Sequence, residues 1–306
     1  MHHQSKILKI RNAFIFFRVT ALCIFCTLPA TLFSADLPLD PKELDILRRA
    51  YPDILFNCMY DETHKDFRIE VMRKNSRNPQ TATLYWADGK MLTLEKRGEK
   101  ELYWNLMYRY AKDIPDPATF SQEDLRRLRN FSSAENRSKQ RSVSLDFFNI
   151  VYDSATRQST EAHIKSVSFL GKYTKAHEWI FEPLARVENK IRELAKTDSG
   201  VKDFIDTLAQ VDSYNWREIR DRGSRSFHSY GIAVDVLPRG WGQKNIYWAW
   251  RRTIAPDGWM IFPLDQRWMP PLKVIQAFES EGFIWGVPVS HQPRRAVVYA
   301  IARFIL

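Results

Sequence analysis

The sequence predicts an α+β protein in which small antiparallel sheets carry the chemically interesting side chains and helices pack outside them. Three observations point there. Alternating apolar and polar residues in Phe67–Met72 and Thr83–Leu94 have the period of half-buried strands. Leu184, Val187, Ile191 and Leu194 recur at helical spacing inside Ile180–Ala195. Between Ser226 and Asp235, Gly231 breaks the chain just before the apolar run Ile232, Ala233 and Val234, which reads as a tight turn entering a buried strand. A hydrophobic content of 44% over 306 residues supports packed cores and excludes a disordered chain.

Taken in order, the chain opens like a secretory leader. Lys6, Lys9, Arg11 and Arg18 precede the apolar run Val19 to Phe33, and the small residues Ser34 and Ala35 follow. Cleavage is expected near Ala35. Retention as an anchor is the alternative, although Pro29 breaks the run and its length falls short of the roughly 20 apolar residues of a spanning helix. Residues 1–35 are therefore read as a signal peptide, 36–120 as a smaller N-terminal α+β domain without a chemical constellation, 121–144 as a polar linker and 145–306 as the second domain. Within the N-terminal domain a short helix is expected over Asp40–Ala50, with Asp40 as cap and Pro41 at the first helical position. The run Thr83–Leu94 folds on itself at Asp88-Gly89 as a two-residue hairpin, and Lys100–Ala111 has helical spacing. In the linker, Gln122–Arg129 is helix-like, with Arg126, Arg127 and Arg129 on a solvated face. The second domain begins with a strand at Leu145–Tyr152, continues through Ile164–Gly171, the helix Ile180–Ala195 and a helix at Val201–Val211, and reaches the Gly231 turn from a strand at Tyr214–Arg220.

Charge and cysteine content bound the compartment. The formal charge is +10, and a basic excess remains after the leader is removed, which suits an anionic partner such as a cell-wall polymer or a phospholipid surface and equally suits plain solubility. No nucleic-acid motif is present, and an export signal argues against that partner. Cys23 and Cys26 lie in the leader, where Leu22 and Phe25 precede them in place of the small residue expected for lipidation. Only Cys58 remains, so neither an intramolecular disulfide nor a cysteine metal site is available. His163 and His177 read as lone structural histidines, and His64 sits in a polar turn.

The chemistry gathers at His228 and Asp235. A carboxylate on a buried strand must be paired or bind a metal, and zinc accepts both neutral imidazole and carboxylate oxygen. A satisfied histidine beside a surface turn is the plainer alternative. The segment Ser226-Phe-His228-Ser-Tyr-Gly231-Ile-Ala233-Val-Asp235 resembles, at all five fixed positions, the S-x-H-x-x-G-x-A-x-D signature of the zinc peptidases that include D-Ala-D-Ala carboxypeptidases, D-Ala-D-Ala dipeptidases and L-alanyl-D-glutamate endolysins. The resemblance implies a LAS/hedgehog-like peptidase domain, with His228 and Asp235 as Zn2+ ligands and Ser226 supporting the site. It also implies an arginine shortly upstream that holds a substrate carboxylate or carbonyl; Arg217 is the candidate and Arg220 the substitute.

Downstream, Trp241, Tyr247, Trp248, Trp250, Trp259, Phe262 and Trp268 suit either a groove wall for peptide or sugar or a packed core. The stretch Trp268 to Gly286 is similar to the endolysin branch, in which a helix ends at a Gly-Phe-x-Trp-Gly turn. Beyond Gly286 the likeness stops. Relatives continue with an acidic residue three positions before a histidine, the general base and the third zinc ligand. Here only His291 stands as candidate third ligand, and Pro288, three residues before it, cannot take a proton. Glu279 and Glu281 are the nearest carboxylates and are expected on a solvated helix end.

The resemblance implies a zinc metallopeptidase cutting peptide stems of peptidoglycan, the leader adds export to the periplasm or cell envelope, and a monomer is expected. The alternative is a non-catalytic cell-wall- or zinc-binding relative, or a reading frame that departs near Val287.

Overall fold

The computed structural model describes residues 40–74, 81–107, 116–133, 135–136, 139, 141–218, 225–246, 254–255, 258 and 261–285. By internal packing the chain divides into Met1–Leu37, which lies outside the described residues, and Pro38–Leu306. The second unit mixes helices with small, mostly antiparallel sheets, compatible with the α+β class. Among the described residues no helix is long and apolar enough to cross a membrane.

Helix α1 spans Lys42–Ala50 and buries Leu44, Leu47 and Ala50. It starts one residue later than expected: Pro41 takes the cap position, while the Asp40 carboxylate receives Arg48 at 3.0 Å. Three antiparallel strands follow in the order β1 (Ile54–Asp61), β2 (Asp66–Arg73) and β3 (Thr81–Tyr85). Strand β1 carries too weak an alternation to be read from the sequence. The expected Asp88-Gly89 hairpin is wider in fact. Strand β3 ends at Tyr85, and beyond one bridge to Leu92 the chain loops through Trp86, whose carbonyl takes the N–H groups of Gly89, Lys90 and Met91.

The helix expected over Lys100–Ala111 is also replaced. A 3-10 segment, Arg97–Leu102, gives way to β4 (Tyr103–Trp104), which pairs in parallel with β5 (Ser142–Val143). The Leu106 N–H is taken by the Gly89 carbonyl at 2.7 Å, so this stretch is tied to the loop rather than coiled on itself. Residues 108–111 lie outside the described residues.

Helix α2 (Gln122–Ser132) starts at a capping box between Ser121 and Asp124. Arg126, Arg127 and Arg129 are exposed, the first two paired with Glu123, as a solvated face requires.

Helix α3 (Asp146–Val151) corrects the strand expected at Leu145–Tyr152. A short apolar run of aromatic and β-branched residues fits either form, and packing decides. The helical turn sets Phe147 and Phe148 in two different directions. Phe147 meets Tyr51 and Phe56, and Phe148 meets Phe227 and Tyr230 of the signature turn. One continuous cluster of buried side chains consequently includes Leu44 and Ile69 at one end and Ile232 and Phe283 at the other.

After α4 (Arg157–His163) comes an antiparallel hairpin of β6 (Ile164–Phe169) and β7 (Lys172–His177). Helix α5 (Phe181–Ala195) buries Leu184, Val187 and Ile191, as its spacing demands. The helix expected over Val201–Val211 is split: α6 (Ser199–Thr207) ends, and β8 (Leu208–Asp212) pairs antiparallel with β9 (Asp235–Pro238). Apolar residues at 201, 204, 208 and 211 satisfy a helix, so only the distant partner strand reveals the switch. Helix α7 (Leu272–Glu279) is the last helix among the described residues.

Candidate metal-binding turn

The signature folds as a single-turn 3-10 helix, Phe227–Tyr230, between Ser226 and Gly231. Ser226, buried, accepts the His228 N–H on its hydroxyl at 3.3 Å and donates its own N–H to the Arg217 carbonyl. Gly231 ends the turn at φ 66°, a left-handed conformation that glycine adopts without penalty. A Cβ there would lie 2.6 Å from Ile164 Cδ1 and 2.8 Å from the His177 backbone nitrogen. The close approach has a purpose: the His177 N–H bonds the Gly231 carbonyl at 2.9 Å and locks the turn to the end of β7. Beyond the glycine, Ile232 and Ala233 are fully buried and β9 begins at Asp235.

His228 is only 4% exposed. Its Nδ1 lies 2.6 Å from the Ser213 carbonyl, an oxygen that can only accept, so Nδ1 carries the proton and Nε2 is the nitrogen turned toward Asp235. Nε2 stands 3.4 Å from Asp235 Oδ2, yet it is buried and has no hydrogen-bond partner. The Asp235 side chain is 13% exposed. An orphaned imidazole nitrogen and a carboxylate therefore converge at one nearly water-free point. Across the β8–β9 ladder Asp235 sits directly opposite Asp212, so a second carboxylate shares that strand pair.

Arg217 is exposed, and among the described residues its guanidinium has neither an ion pair nor a hydrogen-bond partner. Its backbone, in contrast, is held to the signature. Residues 214–218 form no strand of the kind expected over Tyr214–Arg220 but run beside the turn through Asn215 N–H to the His228 carbonyl, Ser226 N–H to the Arg217 carbonyl and an isolated bridge between Glu218 and Arg225. Arg220 and His291 lie outside the described residues, as do Tyr247, Trp248, Trp250 and Trp259. Trp241, Phe262 and Trp268 are half-buried. Among the described residues no group of three or more His, Cys, Asp or Glu gathers in metal-binding reach.

The other histidines among the described residues, His64, His163 and His177, are satisfied. His177 is fully buried with Nε2 on the Tyr152 carbonyl at 3.0 Å and Nδ1 accepting the Trp179 N–H; burial pushes its imidazole down to about 3. His163 stacks on it and lies between Glu178 and Asp153 at 2.8 and 3.2 Å. His64 bonds Asp61 in the β1–β2 turn, and that hydrogen bond holds the Asp61 carboxyl down to about 2.

Glu281 departs from expectation. Its side chain is 10% exposed and receives Arg186 at 2.6 Å and Lys190 at 2.5 Å, so it pins the chain after α7 to α5 instead of ending in solvent.

Several contributors carry no sequence signal. Ser213 orients His228 through its carbonyl, which any residue type provides, while its hydroxyl donates to the Gly231 carbonyl at 3.3 Å. Asn149 accepts the Tyr230 hydroxyl at 2.7 Å from 81 residues away, and Arg225 donates to the same hydroxyl at 2.6 Å.

Comparison with known proteins bears on the same stretch. Residues 220–290, which contain His228 and Asp235, match a family described as D-alanyl-D-alanine carboxypeptidase. The match supports that peptidase family for this part of the chain, and such a domain points to a peptidase acting on peptidoglycan. Residues 43–108 match a family described as a domain of unknown function. No curated protein and no solved structure matches the chain.

Proposed function

We propose that the protein is an exported zinc metallopeptidase of LAS/hedgehog-like fold that hydrolyses peptide-stem bonds of peptidoglycan, with His228 and Asp235 as metal ligands. The buried, unpartnered Nε2 beside the Asp235 carboxylate carries this reading. Ligands about 2.0–2.2 Å from a tetrahedral zinc lie about 3.3–3.6 Å apart, and the 3.4 Å between Nε2 and Oδ2 falls in that interval. A cation also relieves the orphaned lone pair of the buried imidazole.

The residues divide the work by position. The Ser213 carbonyl fixes the His228 tautomer and ring orientation, the usual outer support of a metal-bound imidazole. Arg217 offers a free fork of donors to a substrate carboxylate or carbonyl oxygen. Bound there, zinc supplies Lewis-acid polarisation of the scissile carbonyl and acidification of water. His291 is the proposed third ligand. The leader read in residues 1–35 makes export to the periplasm or cell envelope part of the proposal, with a monomer and an anionic envelope surface as its setting.

The sequence past Gly286 supports a second reading, because Pro288 occupies the place of the general base: a non-catalytic relative that binds zinc or cell wall. Incubating the purified, zinc-loaded chain with muropeptides separates the two. Release of D-alanine or cleavage of the stem supports the peptidase; tight zinc with intact muropeptides supports the binding module.

A further inference from the structure

Arg217 combines an unengaged guanidinium with a tightly held backbone, and Ser229 accounts for much of the second property. Ser229 is fully buried. Its hydroxyl accepts the Arg217 N–H at 2.8 Å and donates to the Arg217 carbonyl at 2.5 Å, so one side chain holds both main-chain polar groups of one residue. The Arg217 N–H has this hydroxyl where a strand would offer a carbonyl: Ser229 lies in the 3-10 turn next to His228 and stands in for a ladder bond.

We propose that Ser229 is the positioning residue that fixes Arg217 relative to the His228–Asp235 pair, and so sets where a peptide ending in a free carboxylate is gripped. The inference rests on the peptidase reading for the identity of the ligand. The clamp itself stands on geometry alone. A long, mobile side chain aims accurately only if its root is fixed, and a root on an exposed stretch beside the turn needs an anchor in the core. Ser229 supplies that anchor from the residue adjoining the metal-binding histidine. With alanine at 229 the Arg217 N–H loses its acceptor, and the guanidinium samples a wider arc at unchanged charge.

The test uses the full, zinc-loaded chain and D-alanyl-D-alanine as probe, with binding read by calorimetry. Ser229→Ala is expected to weaken the dipeptide about 10-fold, the effect of one well-placed hydrogen bond. Zinc affinity should stay within about twofold. Arg217→Ala should weaken the dipeptide at least as much, and the double variant should bind no worse than Arg217→Ala alone, because the serine acts only through the arginine. Ser229→Thr, which keeps the hydroxyl, should recover part of the loss. Additive losses in the double variant, or zinc affinity falling in step with the dipeptide, overturn the proposal. Amide hydrogen exchange reads the clamp without any ligand. In the unsubstituted chain the Arg217 amide should exchange slowly despite its exposed side chain, and fast exchange there overturns the clamp even if no variant folds. A chain that holds zinc and a slow Arg217 amide yet ignores the dipeptide keeps the clamp and removes the assigned ligand.

Discussion

Gly231 sets the geometry of the whole site with no side chain of its own. Its left-handed backbone lets Ile232 to Val234 run into the core and brings Asp235 back to within 3.4 Å of His228. Gly231→Ala combines a left-handed alanine, costing about 1–2 kcal/mol, with overpacking against Ile164 and the His177 backbone, costing about 1–3 kcal/mol more. Urea unfolding should therefore show a loss of about 2–5 kcal/mol, and a change below about 1 kcal/mol would mean that the turn is looser than described. The glycine, the histidine and the aspartate are legible in the sequence because a left-handed turn and a two-donor site each demand particular residue types. Ser213 and Ser229 are not. Ser213 orients His228 through a backbone carbonyl that any residue offers, and Ser229 has no distinguishing context in the sequence, because its partner Arg217 meets it only across the folded turn.

At the scale of elements, sequence periodicity succeeds where an element is long and one-sided and fails where it is short. Helix α5 declares itself through Leu184, Val187 and Ile191. Strand β8 and helix α3 do not, because segments of five and six residues satisfy either period and the partner decides. Glu281 is misplaced for a related reason: nothing in the sequence after α7 announces that Arg186 and Lys190 of α5 face it. Burial works against its carboxylate, but the hydrogen bonds from Lys190 and Arg186 outweigh that and lower its pKa. A carboxyl held below its unfolded value of about 4.3 contributes stability above that pH and loses it as pH falls through the lower folded value. Glu281→Gln should accordingly cost about 1 kcal/mol at neutral pH, an ordinary figure for a partly exposed ion pair. The difference in melting temperature between the two proteins should close as pH drops below about 4. A gap that widens in acid would contradict the assignment.

At the scale of the molecule, Phe147 and Phe148 link what composition separates. Their rings connect Tyr51 and Phe56 beside the first sheet to Phe227 and Tyr230 in the signature turn. Phe147→Ala removes a fully buried ring and should cost about 3–5 kcal/mol. The loss should appear as one shifted transition reported alike by tryptophan fluorescence and far-ultraviolet dichroism; two separated transitions would show that the shared cluster does not couple the sheets. The same packing buries the turn and makes an unpartnered Nε2 costly unless a cation occupies its lone pair. Zinc content is thus the most direct measurement. Dialysed protein should retain one zinc per chain, and His228→Ala and Asp235→Ala should each weaken it by at least about 100-fold. A chain that retains no zinc, or variants that hold it as tightly as the original, would contradict the account.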